Sequence, residues 1–241
     1  MRNLLCGVIV LLAACCIAQA DITVTVPATT DIWLAGQPSG VYVTGYFGFD
    51  TAPANSPIAI NVTAGDIITF PSVSGSTSVD AYCYAGPDGG CYADQSSFSP
   101  SPASNDYNGP ADALIGVFLN SASGPLPINT SNVPTGFVPG LDYQANSNGN
   151  EGLSAYSPAL DQIFFIGDGL TGTGTGTVQQ FTAPVGATTL YLAVADSVGG
   201  SVGNLGSIQV GVPEPDTTLL LPLQLGAALL VLLALRRRVA R

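Results

Sequence analysis

The sequence has no histidine and no lysine, and its five basic residues are Arg2, Arg236, Arg237, Arg238 and Arg241, all near its ends. Between Asp21 and Val212 no Lys, Arg or His occurs, while fourteen acidic residues run from Asp21 to Asp196. This excludes nucleic acid as a partner, because binding phosphates relies on Lys and Arg to release condensed counterions. It also removes a histidine base, a Schiff-base lysine and an arginine clamp from any catalytic repertoire. A glycosidase needs two carboxylates roughly 5–10 Å apart; no Asp spacing singles out such a pair, and the chain reads as a non-enzyme. With no salt bridge available, a buried carboxylate needs hydrogen bonds, a raised pKa or a bound cation. Ca2+, a hard ion that takes oxygen ligands, is the cation best suited to such a surface.

Lys, Arg and Glu are the usual surface residues of exposed helices, and their scarcity in a chain with 29 Gly and 18 Pro argues for strands and loops. Runs of strand composition bounded by turn residues fall at 22–26, 58–62, 66–70, 113–119, 162–166, 177–183, 189–195 and 206–210. Eight short strands in one domain-sized segment predict an all-β fold built as a single β-sandwich. Segments 94–109 and 121–151 are rich in Ser, Pro, Asn and Gly and read as loops, and a short helix is expected at 157–162.

The two ends differ from the middle. Residues 1–20 give Arg2, an apolar stretch and Ala18-Gln19-Ala20 ahead of Asp21, the layout of a signal peptide cleaved after Ala20. A rival reading takes Leu12-Ala13-Ala14-Cys15 as a lipobox with Cys15 lipidated. Residues 217–235 are nearly all apolar, and about 20 helical residues span a bilayer core. The arginines that follow keep to the cytoplasmic side by the positive-inside rule. Val212-Pro213-Glu214-Pro215, the apolar helix and Arg236-Arg237-Arg238 together resemble the PEP-CTERM sorting signal of Gram-negative bacteria that make extracellular polysaccharide. That resemblance implies a membrane anchor processed by an exosortase, leaving the protein at the cell surface or released. The chain thus divides into a signal peptide (1–20), a β-sandwich domain (21–211) and a sorting tail (212–241).

Outside the leader only Cys83 and Cys91 remain, bracketing the turn-rich Tyr84-Ala85-Gly86-Pro87-Asp88-Gly89-Gly90. An oxidising extracytoplasmic space favours a disulfide that closes this hairpin; two thiols without histidine do not complete a zinc shell.

The glycine-rich stretch 167–177 lacks the lysine and the following helix that a phosphate loop requires, and reads as a loop feeding an extended strand. Further on, the strand ending at Asp196 leads through a glycine-rich loop containing Asn204 into the next strand, gathering oxygens suited to Ca2+. The alternative is ordinary turn chemistry, with Asp196 and Asn204 capping loop backbone.

Several signposts accompany this loop: Ile32-Trp33-Leu34-Ala35-Gly36, Gly65-Asp66-Ile67-Ile68-Thr69-Phe70, Gly86-Pro87-Asp88-Gly89, Leu114-Ile115-Gly116-Val117-Phe118 and Phe164-Phe165-Ile166-Gly167-Asp168-Gly169. With the Asp196 loop they resemble the bacterial PA-I-like galactophilic lectins and related sandwiches of PEP-CTERM proteins. The resemblance implies Ca2+ held by Asp196, the Gly200 carbonyl, Asn204 and a carbonyl within 78–82, and a galactose-type or extracellular polysaccharide partner. Gly203 stands where those lectins carry a further asparagine, so the fold is better supported than the activity. Two functions follow: carbohydrate binding through Ca2+, or a structural envelope or biofilm matrix protein without ligand.

Overall fold

The computed structural model of the chain describes residues 22–41, 55–79, 81–90, 107, 109–121, 125, 152–196 and 200–212. The signal-peptide segment, Cys91, and Pro213, Glu214, Pro215, Arg236, Arg237 and Arg238 of the tail lie outside them. Among the described residues no helix is long and apolar enough to cross a membrane.

In chain order the strands are β1 (Ile22–Pro27), β2 (Ile58–Asn61), β3 (Ile67–Ile68), β4 (Val73–Ser78), β5 (Leu114–Leu119) and β6 (Ala155–Tyr156). They continue with β7 (Ile163–Phe165), β8 (Leu170–Gly172), β9 (Thr175–Val178), β10 (Gln180–Thr182), β11 (Thr189–Val194) and β12 (Leu205–Val212). Short 3-10 helices form at Ile32–Leu34 and Ser201–Gly203. The fold is all-β, as the shortage of helix-surface residues predicts. The strands pair in sheets ordered β1-β12-β4, β3-β10-β6 and β2-β11-β5-β7, with β8 and β9 as a two-stranded ribbon.

The apolar strands occupy the centres. β5 is buried along its whole length and lies between β11 and β7, antiparallel to both. Gly116 sits mid-strand opposite Phe164 because a Cβ there would stand only 2.9 Å from the Phe164 ring and 3.0 Å from Ile166 Cδ1. A missing side chain on one strand thus admits a large ring from its neighbour, the close-approach use of a strand glycine. That ring begins an aromatic chain. Phe164 stacks on Phe118 at 5.1 Å and meets Phe181 of β10 at 5.4 Å. Phe181 in turn stacks on Tyr156 at 5.0 Å and meets Phe70 edge-on at 5.5 Å. Side chains of β5, β7, β10 and β6 are thereby joined into one apolar cluster that includes Trp33.

Three local expectations are corrected, and one strand forms where none was expected. The stretch 177–183 is two strands: Gln179, fully buried, breaks the run, its amide donating to the Leu153 carbonyl at 3.0 Å and the Tyr156 hydroxyl at 3.2 Å. A buried amide needs partners, and these lie away from the strand ladder. The helix at 157–162 does not form; Pro158 removes a backbone donor, Leu160 bridges Phe118, and Asp161 takes a positive φ of 63°. β4, Val-Ser-Gly-Ser-Thr-Ser, has no apolar pattern and is a strand because β12 pairs with all six of its residues. Finally, 167–177 is not a plain loop: β8 and β9 form a hairpin with a register shift between Leu170 and Gly172.

Truncating Phe181, which touches three rings and has no exposed surface, is expected to cost about 3–5 kcal/mol in Phe181→Ala, read by denaturant unfolding. Gly116→Ala, which overpacks the same cluster, is expected to cost about 1–3 kcal/mol.

Candidate functional site

β11 ends at Val194, and β12 starts at Leu205. Between them Asp196 is half-buried and Asn204 is only 4% exposed. The two side chains meet: Asn204 Nδ2 donates to Asp196 Oδ2 at 2.8 Å. The same amide donates to the Ala28 carbonyl at 3.3 Å, just beyond β1. Asn204 thus joins the end of β1 to the β11–β12 connection. Its own Oδ1 is buried with no hydrogen-bond partner. Gly200 precedes the 3-10 helix Ser201–Gly203 as its N-cap, without a side-chain cap bond. An N-cap carbonyl accepts the first bond of its helix, so the structure places Gly200 in a helix-starting role and does not record it beside Asp196. Ser78 is paired with Leu205, so the segment expected to supply a distant carbonyl runs beside Asn204. The carbonyl that Asn204 actually reaches is that of Ala28.

Do these residues fit a hard cation? One carboxylate oxygen, one backbone carbonyl and one buried amide with an unsatisfied oxygen converge at Asn204. The 2.8 and 3.3 Å separations are hydrogen-bond distances from Asn204 Nδ2 to the Asp196 carboxylate and the Ala28 carbonyl. Amide oxygen and nitrogen are assigned from their hydrogen-bond network. With the amide turned over, its oxygen joins the other two, and a cation removes the resulting repulsion. The set fits Ca2+. Among the described residues no group of three or more His, Cys, Asp or Glu could hold a metal, so a site here draws on amide and carbonyl oxygens.

The backbone around Asp196 is firmly placed. Ala195 N donates to Ala113 O at 2.8 Å and Ala195 O accepts from Asp112 N at 2.9 Å. Asp112 has a positive φ of 68° and no exposed surface, and its carbonyl accepts from the Thr77 hydroxyl at 2.9 Å. Thr77 also exchanges backbone bonds with Ala85, two residues after Cys83. Cys83 is disulfide-bonded.

A second constellation joins two segments that the sequence offers only as a turn-rich hairpin, a glycine-rich loop and signposts of a fold. The loop Gly86-Pro87-Asp88-Gly89-Gly90 is bonded to the neighbourhood of β5: Leu114 N donates to Pro87 O at 2.8 Å, and Gly90 N to Ala111 O at 3.2 Å. This turns Asp88 toward the β7–β8 connection. Asp88 Oδ1 accepts from Asp168 N at 2.7 Å, and the Thr173 hydroxyl bonds the same carboxylate. Gly167, with φ of 61°, leaves room for this approach, since a Cβ would collide with Asp88 Oδ1 and the Phe165 ring. Asp168 closes its own hairpin, accepting from Leu170 N at 2.9 Å and Gly174 N at 2.6 Å. A cleft of about 280 Å³ opens here, lined by residues that include Asp88, Gly152, Phe165, Leu170, Thr171 and Thr173. The Gly-Pro-Asp-Gly turn and the Gly/Thr alternation were visible in the sequence. Their meeting across 80 residues was not.

Burial pushes the Asp88 carboxyl above its ordinary 3.8, against the lowering effect of the Asp168 N–H and the Thr173 hydroxyl, with the Asp168 charge adding to the rise. Burial also raises Asp161. The folded state therefore holds these protons more tightly than the unfolded chain. Stability from this source is greatest at low pH and is lost as pH rises from 3.8 through the raised pKa. Melting temperature measured from pH 7 downward is expected to gain less on acidification in Asp88→Asn than in the unaltered chain. Equal slopes would show that Asp88 does not titrate in this way.

Comparison with protein-family models, with curated proteins and with solved structures gives no match.

Proposed function

We propose that the chain is an exported cell-surface or extracellular-matrix protein. A signal peptide directs export, and a C-terminal transmembrane helix holds it until an exosortase-type enzyme processes the Val212-Pro213-Glu214-Pro215 tail. Its sheets form a lectin-like β-sandwich that binds carbohydrate with Ca2+ at the Asp196–Asn204 end. Asp196, Asn204 and the Ala28 carbonyl are the residues that would hold the ion. Bound Ca2+ supplies a positive centre for sugar hydroxyl oxygens in a body with no side-chain cation. The observation that carries this reading is the meeting of the Asn204 amide, through Nδ2, with the Asp196 carboxylate and the Ala28 carbonyl, while its own buried Oδ1 has no hydrogen-bond partner. An unsatisfied buried acceptor costs about 1–3 kcal/mol, a deficit that an ion relieves.

The segment order supports export. An apolar run follows a body with no internal cation and is capped by arginines, the Lys/Arg asymmetry that keeps the body on the far side of a membrane. Val212 closes β12 and is 5% exposed, so the sorting motif begins where the sheet ends.

A structural envelope or biofilm matrix protein is the second reading. The low exposure of Asn204, 4%, favours it, because a side chain sealed between β1 and β12 presents little to a sugar.

Thermal unfolding of the full chain in detergent, in Ca2+ and in chelator, tests the ion. Saturating Ca2+ is expected to raise the melting temperature, with a stabilisation of about 2.7 kcal/mol at a hundredfold excess over Kd. Asp196→Ala and Asn204→Ala are expected to abolish the shift. Retention on galactose resin and on native polysaccharide then separates the two functions. Ca2+-dependent retention supports sugar binding; a Ca2+ shift without retention leaves a structural ion; neither leaves the scaffold.

A further inference from the structure

The cleft between the Asp88 loop and the β8–β9 hairpin lies apart from the Asp196 residues and takes no part in the proposed ion site. Its walls carry a consistent chemistry. Asp88 is the carboxylate among its lining residues, and no cation faces it. An ionised carboxyl group offers about four acceptor positions. Asp88 uses one for the Asp168 N–H and one for the Thr173 hydroxyl, leaving capacity for further donors. Thr171 and Thr173 add hydroxyls. Leu170 adds apolar surface over the buried Phe165 and Pro110, and Gly89, Gly90, Gly152 and Gly172 bring backbone close without side chains in the way.

The hairpin is shaped around this opening. The register shift in β8–β9 falls between Leu170 and Gly172, at Thr171. Such an irregularity bends a strand pair and re-aims side chains, and is common beside binding sites. Thr171 Oγ1 accepts from Thr177 N at 3.0 Å and also lies 3.5 Å from the Thr177 hydroxyl, contacts that hold its side chain in place. The opposite wall is equally fixed, through the Pro87 and Gly90 backbone bonds and the disulfide at Cys83. A preformed cleft loses little entropy on binding.

The geometry points to a Ca2+-independent subsite for one neutral sugar ring in this cleft, with Asp88 accepting hydroxyl protons and the half-buried Leu170 facing the ring carbons. Anionic ligands are disfavoured, since a carboxylate and no cation would meet them. Ligand pockets run from about 300 to 1,000 Å³, and a cleft of about 280 Å³ suits a single ring. The inference rests on the reading that the protein handles carbohydrate, and it adds a second contact point along an extended polysaccharide.

Gly152 gives a clean way to test it. It is exposed, its φ is not positive, and an added Cβ would meet only the Thr171 carbonyl, at 3.4 Å. A large side chain there obstructs the cleft without disturbing the core. The full chain in detergent is screened against neutral saccharides in EDTA, and the best ligand is titrated into the unaltered protein, Gly152→Trp and Asp88→Asn. The expected result is binding in EDTA that weakens about tenfold or more in both variants, at unchanged melting temperature for Gly152→Trp. No binding in EDTA, or binding that both variants keep, overturns the subsite. Loss of Ca2+-dependent retention on native polysaccharide bears instead on the Asp196–Asn204 reading and leaves this result standing. If Asp88→Asn fails to fold, Gly152→Trp alone decides.

Discussion

A body without a single side-chain cation must satisfy its carboxylates by other means, and most local geometry here follows from that constraint. The acids are used as acceptors for backbone N–H groups at turns. Asp31 accepts from Trp33 N at 2.9 Å and starts a 3-10 helix. Asp66 accepts from Thr63 N at 2.7 Å ahead of β3. Asp168 takes two N–H groups of its own hairpin, and Asp88 takes one from across the molecule. Each such bond fixes a connection that an Arg or Lys pair would otherwise have to hold. Charge-assisted bonds of this kind are stronger than neutral ones, which suits a chain whose net charge of −11 repels itself.

The constraint also sets where unusual chemistry collects. Where N–H donors are plentiful, as at Asp168, the carboxylate is an ordinary turn cap. Where burial outruns the donors, as at Asp88, the proton is held more tightly and an acceptor is left facing a cleft. Where a carboxylate meets an amide and a carbonyl, as at Asp196, the amide nitrogen donates to both and the amide oxygen is left unsatisfied. All three positions are held by the same framework. The Ala113–Ala195 pairing aligns β5 with the end of β11, and the loop after Cys83 is pinned to the start of β5.

Beneath these connections the aromatic chain from Phe118 through Phe164 to Phe181 ties strands from separate sheets together. It depends on Gly116 and on the break at Gln179, which lets β10 place Phe181 inward. Rigid packing of this kind is what allows glycine-rich hairpins and loops at the periphery to keep a defined shape.

The sequence alone determined the all-β class, the apolar strands β5 and β11, the confinement of basic residues to the ends, and Asp196 and Asn204 as a pair, because composition, period and local spacing carry that information. Tertiary structure decided the rest. β4 is a strand only because β12 lies beside it, and Gln179 interrupts a strand only because Tyr156 and the Leu153 carbonyl are there to bond it. Ala28 reaches Asn204, and Asp88 reaches Asp168, across 176 and 80 residues of chain. No local pattern encodes such meetings. They arise from which sheet edges the core brings together, and that is settled by packing and backbone pairing acting over the whole body at once.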